Sequence, residues 1–284
     1  MKNAEQIEYW NGEAGKRWAE HDHIMERLLR PVTEALLAHA DLSGCTHALD
    51  VGCGGGSQTM LLGEKLGGSA RILGVDISEP MLQVARDKVA QRQPGQASVD
   101  FLQADAASHA FEPGAFDLLF SRFGVMFFDD PVSAFTNLRG ALAKGARLAF
   151  CCWQGMEKND WTLLPFKAAV QHLPRPEAPA PDAPGPFAFA DPQRVKGILE
   201  AAGFGDVALT PHTLTLRFGE GLELFESVRE LATIGPISRL LAEHQDHPAL
   251  PEVFAAMERE LEPFHRDGAI HLEGAIWLVT GRVA

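Results

Sequence analysis

Asp50, Asp76 and Asp105 stand at the ends of three successive apolar runs, and the first is followed by glycines at 52, 54, 55 and 56 and then by Ser57. Glycines at the mouth of a strand let the backbone turn sharply and let a ligand approach it closely. Asp76 closes the segment Val75-Asp76-Ile77-Ser78, about 24 residues beyond Gly52. A carboxylate at that place can accept both hydroxyls of an adenosine ribose. Asp105 ends the run Leu102-Gln103-Ala104-Asp105-Ala106. Its side chain can accept from an exocyclic adenine amine while the Ala106 backbone N–H serves a ring nitrogen. Taken alone, Asp105 reads equally well as a simple strand-end residue. Its place in the series is what raises it.

Two details bear on which adenosine compound this is. The dinucleotide fingerprint GxGxxG requires glycine at 57, where Ser57 stands. Asp50, two residues before Gly52, would oppose a pyrophosphate at a helix N-terminus, a place that favours anions. S-adenosyl-L-methionine (SAM) has no phosphate, and its methionine end carries an ammonium that an acid can hold. The plain alternative for Asp50 is a capping or turn residue. An NAD(P)-dependent oxidoreductase using the same adenosine rim and a noncatalytic SAM-binding protein are the competing readings.

The elements that must position these residues follow from periodicity. Apolar runs at 46–51, 70–76, 97–103, 115–121 and 146–153 alternate with helix-period segments. Ser78-Glu79-Pro80 opens one helix, through Met81, Leu82, Ala85 and Val89. Asp130-Pro131 opens another, through Val132, Phe135, Leu138 and Leu142 with Gly145 closing it. Each start pairs a capping residue with a proline that the first turn tolerates. Nearly continuous apolar strands separated by helices predict an α/β fold, a doubly wound and mostly parallel sheet covered on both faces.

Residues 1–40 read as two helices forming an N-terminal cover, and 41–153 as the nucleoside-binding core. Residues 154–190 form a connector, extended and proline-rich over Pro174–Pro186. Residues 191–284 complete the sheet through a helix begun by Asp191-Pro192 and strands at 207–218 and 275–283. A helical insertion over 220–270 serves as a lid or a dimer interface.

A formal charge of −13 repels phosphate backbones and argues against a nucleic-acid partner. Cys45, Cys53, Cys151 and Cys152 form no CxxC pair and meet no histidine cluster, so free thiols and no metal site are expected. No stretch reaches the roughly 20 apolar residues that span a bilayer, and the N-terminus lacks the apolar run of a signal peptide. Both point to a cytoplasmic protein.

The motifs LDVGCGGG, GVDIS with PML, Q-A-D-A and FDLLFSRFGVMFFDDP together resemble the class I SAM-dependent methyltransferases, in the style of the bacterial small-molecule branch that includes the ubiquinone/menaquinone C-methyltransferases. That resemblance implies a seven-stranded sheet in the order 3-2-1-4-5-7-6, the seventh strand antiparallel. It also implies an N-terminal segment over the cofactor, bringing Tyr9, Trp10 and Trp18 near it, although helix packing explains these aromatics more simply. The cofactor set is then Trp10, Asp50, Gly52, Gly54, Gly56, Asp76, Ile77, Met81, Asp105, Ala106, Ser121 and Phe123.

Methyl transfer from a sulfonium is an in-line displacement that rewards orientation and exclusion of water. An acid or base is not obligatory. The small-molecule acceptor is expected above the ends of the fourth and fifth strands, near Ser121, Arg122, Phe123, Met126 and Trp153. The apolar Phe123, Met126, Phe127 and Phe128 suit an aromatic or apolar acceptor, with Phe127 and Phe128 read first as core. Arg122 suits an acceptor carboxylate or phenolate, or pairs with a neighbouring acid. His23 is the first choice among the histidines for a general base, and a solvated surface histidine is its plain alternative. The adjacent Cys151 and Cys152 point to opposite faces of a strand and read as buried small residues.

Overall fold

Capping residues and apolar runs set most of the element boundaries. The structure, a computed structural model, describes residues 4–91, 95–177, 180 and 183–284. Helices α1 (Ala4–Asn11), α2 (Glu13–Glu20) and α3 (Asp22–His39) precede strand β1 (His47–Val51). Then follow α4 (Ser57–Leu66), β2 (Arg71–Asp76), α5 (Glu79–Ala90), β3 (Ser98–Gln103), β4 (Phe116–Arg122), α6 (Pro131–Gly140) and β5 (Leu142–Trp153). The remainder holds α7 (Asp160–Ala169), α8 (Pro192–Ala201), β6 (Phe204–Phe218), α9 (Leu224–Leu231), α10 (Gly235–Glu243), α11 (Leu250–Leu261), β7 (His265–Arg266) and β8 (Ala269–Val283). Ser78 caps α5 through the Met81 amide, Asp130 caps α6 through Ser133, and Asp191 caps α8 through Gln193. All three have proline in the first turn, where its missing N–H costs nothing.

The strands run β3-β2-β1-β4-β5-β8-β6, with the short β7 paired antiparallel to β8. β1 pairs in parallel with β2 and β4, which makes it an interior strand of the sheet, and Ala48, Leu49 and Asp50 are wholly buried. Order reverses across β1, so the ends of β1, β2 and β4 flank the crevice where doubly wound sheets bind ligands. The order matches the resemblance, with β8 in the place of the seventh strand.

The chain divides into two compact units. The first comprises Met1–Cys152, Pro184–Pro211 and Trp277–Ala284. Its core on one side of the sheet is a cluster of Phe135, Phe150, Phe189 and Phe204, with centroids 5.8–6.4 Å apart. The second comprises Trp153–Ala183 and His212–Ile276. In it the wholly buried Asn159 donates to the Gln154, Gly155 and Ala275 carbonyls and accepts from the Trp161 indole and the Ala275 amide. Trp153 and Trp161 pack at 5.0 Å in the same unit.

Several boundaries differ from those the sequence suggests. The N-terminal cover contains three helices, because extended backbone at Gly12 interrupts one and His21 separates the next. Helix α6 stops at Gly140, and Leu142 already pairs with Phe116 in the sheet. Gly145 therefore lies in an irregular stretch of β5, where the register with β4 shifts between Phe116 and Leu118. Strands β6 and β8 begin earlier than the apolar runs do, at Phe204 and Ala269. Within the proline-rich connector, 178–179 and 181–182 lie outside the described residues.

Candidate active site

The turn from β1 to α4 is tied to β2 by its backbone. The Gly52 and Cys53 amides both donate to the Val75 carbonyl, at 2.8 and 3.2 Å. Asp76 then holds the turn from the other side: one oxygen accepts from the Gly54 amide at 2.8 Å and the other from the Ser78 amide at 2.9 Å. Burial pushes the Asp76 carboxyl up, opposed by hydrogen bonds from the Ser78 and Gly54 backbone. Each carboxylate oxygen keeps a lone pair beyond these contacts, so Asp76 can still accept from hydroxyls.

The glycines of the turn do different jobs. A Cβ on Gly52 would lie 2.5 Å from the Gly124 Cα, and one on Gly56 would press on the Phe101 ring and Ala85. One on Gly55 would collide with the Asp22 carboxylate. Protein therefore fills the space over these three. Over Gly54 a Cβ would meet only the terminal methyl of Met81, at 3.4 Å, which leaves this glycine facing room for a ligand. Asp50 lies beneath the turn with no exposed surface, accepting from Gln58 Nε2 at 3.0 Å and Thr59 Oγ1 at 2.6 Å. Burial lifts its carboxyl to about 6.

The end of β4 closes the crevice opposite β2. The buried Ser121 hydroxyl donates to the Val51 carbonyl at 2.7 Å and accepts from the Gly124 amide at 3.2 Å, so it joins two loops. Phe123 has a left-handed backbone (φ 67°), unusual for an aromatic residue, and its amide bonds the Cys151 carbonyl. That turn lays Gly124 directly on Gly52. Arg122 reaches across to α3, donating from Nη1 to Thr33 Oγ1 at 2.8 Å and to the Leu29 carbonyl at 3.4 Å.

The N-terminal helices sit on this rim. The Ser78 hydroxyl donates to the Trp10 carbonyl at 2.7 Å, and Asn11 Nδ2 donates to the Ile77 carbonyl at 2.9 Å. Asn11 Oδ1 accepts from the Glu79 amide, and Gln103 Nε2 also reaches the Ile77 carbonyl. The Trp10 ring contacts Trp18 and Phe127 edge-on, at 5.6 and 5.9 Å. On α3, Asp22 and Glu26 both pair with Lys88 of α5, whose ammonium also donates to Ser57 Oγ. A hydrogen-bonded knot thus ties the cover to the first turn of α4.

Elsewhere, Asp105 caps a local turn, accepting from the Ala107 amide at 3.0 Å and the Ser108 hydroxyl at 2.8 Å, and the Ala106 carbonyl accepts from Asn137. His23 is exposed on the first turn of α3. All four cysteines are buried and unpaired, and burial pushes both Cys45 and Cys151 up to about 12. No helix among the described residues is long and apolar enough to cross a membrane. No group of metal-ligating side chains is found among them either. Sequence reasoning missed Asn11, Asp22, Lys88, Gly55 and Gly124. Gly124, inside the SRFG run, and Gly55, inside the glycine run, carried a local signal; Asn11, Asp22 and Lys88 depend on contacts more than 60 residues apart in the chain.

Residues 49–150, which hold this rim, match the family model described as a methyltransferase domain. The chain is 30% identical over 205 residues to the nocamycin O-methyltransferase of Saccharothrix syringae, an alignment covering 69% of this chain and 72% of that one. It belongs to the class I SAM-dependent methyltransferases. The methyltransferase is also 32% identical to the demethylmenaquinone methyltransferase of Thermus thermophilus, over 55% of this chain and 73% of the other. Its fold resembles the phosphoethanolamine N-methyltransferase 2 of Haemonchus contortus in complex with S-adenosyl-L-methionine. There the TM-score is 0.52 at 15% identity, covering 89% of this chain and 53% of that one. SAM is the cofactor of the enzyme, and the oxidoreductase alternative finds no support.

Proposed function

We propose that the methyltransferase acts on a small aromatic or apolar acceptor in the cytoplasm, with the cofactor lying along the rim of Asp50, Gly54, Asp76 and Asp105. The observation that carries the rim assignment is Asp76: two backbone amides pin its oxygens beside Gly54, the glycine of the turn with open space before it. Asp76 accepts the ribose hydroxyls, Ile77 and Met81 flank the nucleoside, and Asp105 with Ala106 reads the base. Bound SAM supplies an electrophilic methyl group.

The protein's part is orientation. Asp50 supplies negative potential under the turn, and the backbone contacts of Gly52 and Ser121 hold the β1 and β4 loops together. Trp10 and its helix shield the rim from water. The relatives are named for nocamycin and demethylmenaquinone, which supports a small-molecule acceptor. Phe123 and Met126, buried at the end of β4, and the half-buried Phe127 make the nearby wall apolar. His23, exposed on α3, is assigned as general base for an acceptor that must lose a proton, and residues 220–270 as a lid or a dimer interface. Titration calorimetry tests the rim. S-adenosylhomocysteine (SAH) should bind wild type, NADH should not, and Asp76→Ala should abolish SAH binding; unchanged affinity in that variant would remove the assignment.

A further inference from the structure

The charges around the end of β4 are not balanced in pairs. Asp22 and Glu26 are engaged by Lys88, and the Asp50 oxygens by Gln58 and Thr59. All three carboxylates act on Arg122 through space, yet its hydrogen bonds go to two neutral acceptors, the Thr33 hydroxyl and the Leu29 carbonyl. Its Nε is buried with no acceptor at all. A buried guanidinium donor without a partner is costly, and a charge-assisted bond to an anion would relieve it. Arg122 also stands next to the strained Phe123 and two residues from Gly124, the residue whose backbone lies on Gly52 of the glycine turn.

We propose that Arg122 binds the α-carboxylate at the methionyl end of the cofactor. This rests on the reading of the glycine turn as the cofactor site. An amino-acid end is a zwitterion and needs both signs of charge around it. Asp50 provides the negative side beneath the turn, and Arg122 is the nearby cation with an unused donor, since Lys88 is spent on two carboxylates and a hydroxyl. The same carboxylate chemistry could come from an acidic acceptor. The contact of Gly124, two residues on, with Gly52 and the electrostatic coupling of Arg122 to Asp50 favour the cofactor.

Calorimetry with SAH and with 5′-methylthioadenosine, which lacks the aminoacyl end, separates these cases. In Arg122→Gln the Kd for SAH should rise roughly 10- to 100-fold, the usual worth of a bond to a charged group. Its Kd for methylthioadenosine should stay within about threefold of wild type, and Arg122→Lys should recover part of the SAH affinity. Unchanged SAH binding in Arg122→Gln overturns the proposal and returns Arg122 to the acceptor. Equal weakening of both ligands also overturns it, by showing that Arg122 only holds α3 in place. If Arg122→Gln does not fold, decarboxylated SAH decides the matter. Its loss of affinity relative to SAH should be smaller in Arg122→Lys than in wild type, and an equal loss overturns the proposal. Failure of wild type to bind SAH at all would remove the rim assignment and this proposal together, a result plainly distinct from the others.

Discussion

At the foot of the glycine turn the Asp50 carboxyl is kept from water, and burial raises it to about 6 against the lowering effect of Thr59 and Gln58. In the unfolded chain it titrates near 3.9. A raised folded value means that its favourable contribution is complete below about pH 4 and is lost as pH rises through 6. Two units correspond to about 3 kcal/mol. Denaturant titrations of wild type and Asp50→Asn should therefore show wild type losing about that much relative to the variant between about pH 4 and about pH 7. A constant difference would mean that the carboxyl is solvated. If the cofactor ammonium lies close, binding stabilises the ionised form, and SAH should bind more tightly as pH rises through 6. The glycines offer a second contrast. Gly52→Ala drives a Cβ into Gly124 and should cost stability by about 2 kcal/mol or more. Gly54→Ala should cost only about 1 kcal/mol for its left-handed backbone, yet weaken SAH binding. Melting curves and calorimetry on the two proteins check both.

Helices α1 to α3 are joined to the cofactor domain by polar contacts as well as by the apolar face of α3, where Leu28, Leu29, Val32, Leu36 and Leu37 are buried. The Lys88 knot holds Asp22, whose carboxylate is pressed on Gly55 with little access to water. Lys88→Met should leave that acid without its counter-ion. We expect a loss of about 1–3 kcal/mol, tempered by the partial exposure of Lys88 and Glu26. Amide exchange should quicken across α1, α2 and the first turns of α3 well before β1 is affected. Uniform acceleration through the whole domain would show that the knot is part of the global core instead. The second contact line, Asn11 with Ile77 and Glu79, is lighter and bears on the same helices.

Taken whole, the enzyme is an acidic chain of 284 residues in two compact units, the first of which contains every residue assigned to the cofactor. SAH at 100 times its Kd should add about 2.7 kcal/mol to the stability of what it binds. Exchange protection on adding SAH should appear at the ends of β1, β2 and β3 and in α1 to α3, and leave α9 to α11 nearly unchanged. Added acceptor should then extend protection to 220–270. Protection of those helices that depends on protein concentration and not on acceptor would assign them to a dimer interface.

The sequence alone determined the alternation of strand and helix, the three capped helix starts, the carboxylates at the strand ends and the family. These are local signals: a cap, a period, a glycine that must take a left-handed turn. Which glycine of the turn faces open space was decided only by the fold, since it depends on Gly124, Phe101 and Asp22 arriving from other segments to fill the space over the others. The burial of Asp50, the knot at Lys88 and the unpaired donor of Arg122 likewise exist only once α3, β4 and α5 are packed together. The number of helices in the cover and the end of α6 escaped periodicity for a related reason. Apolar residues at helical spacing continue past Gly140, and it is sheet pairing of Leu142 with Phe116 that ends the helix.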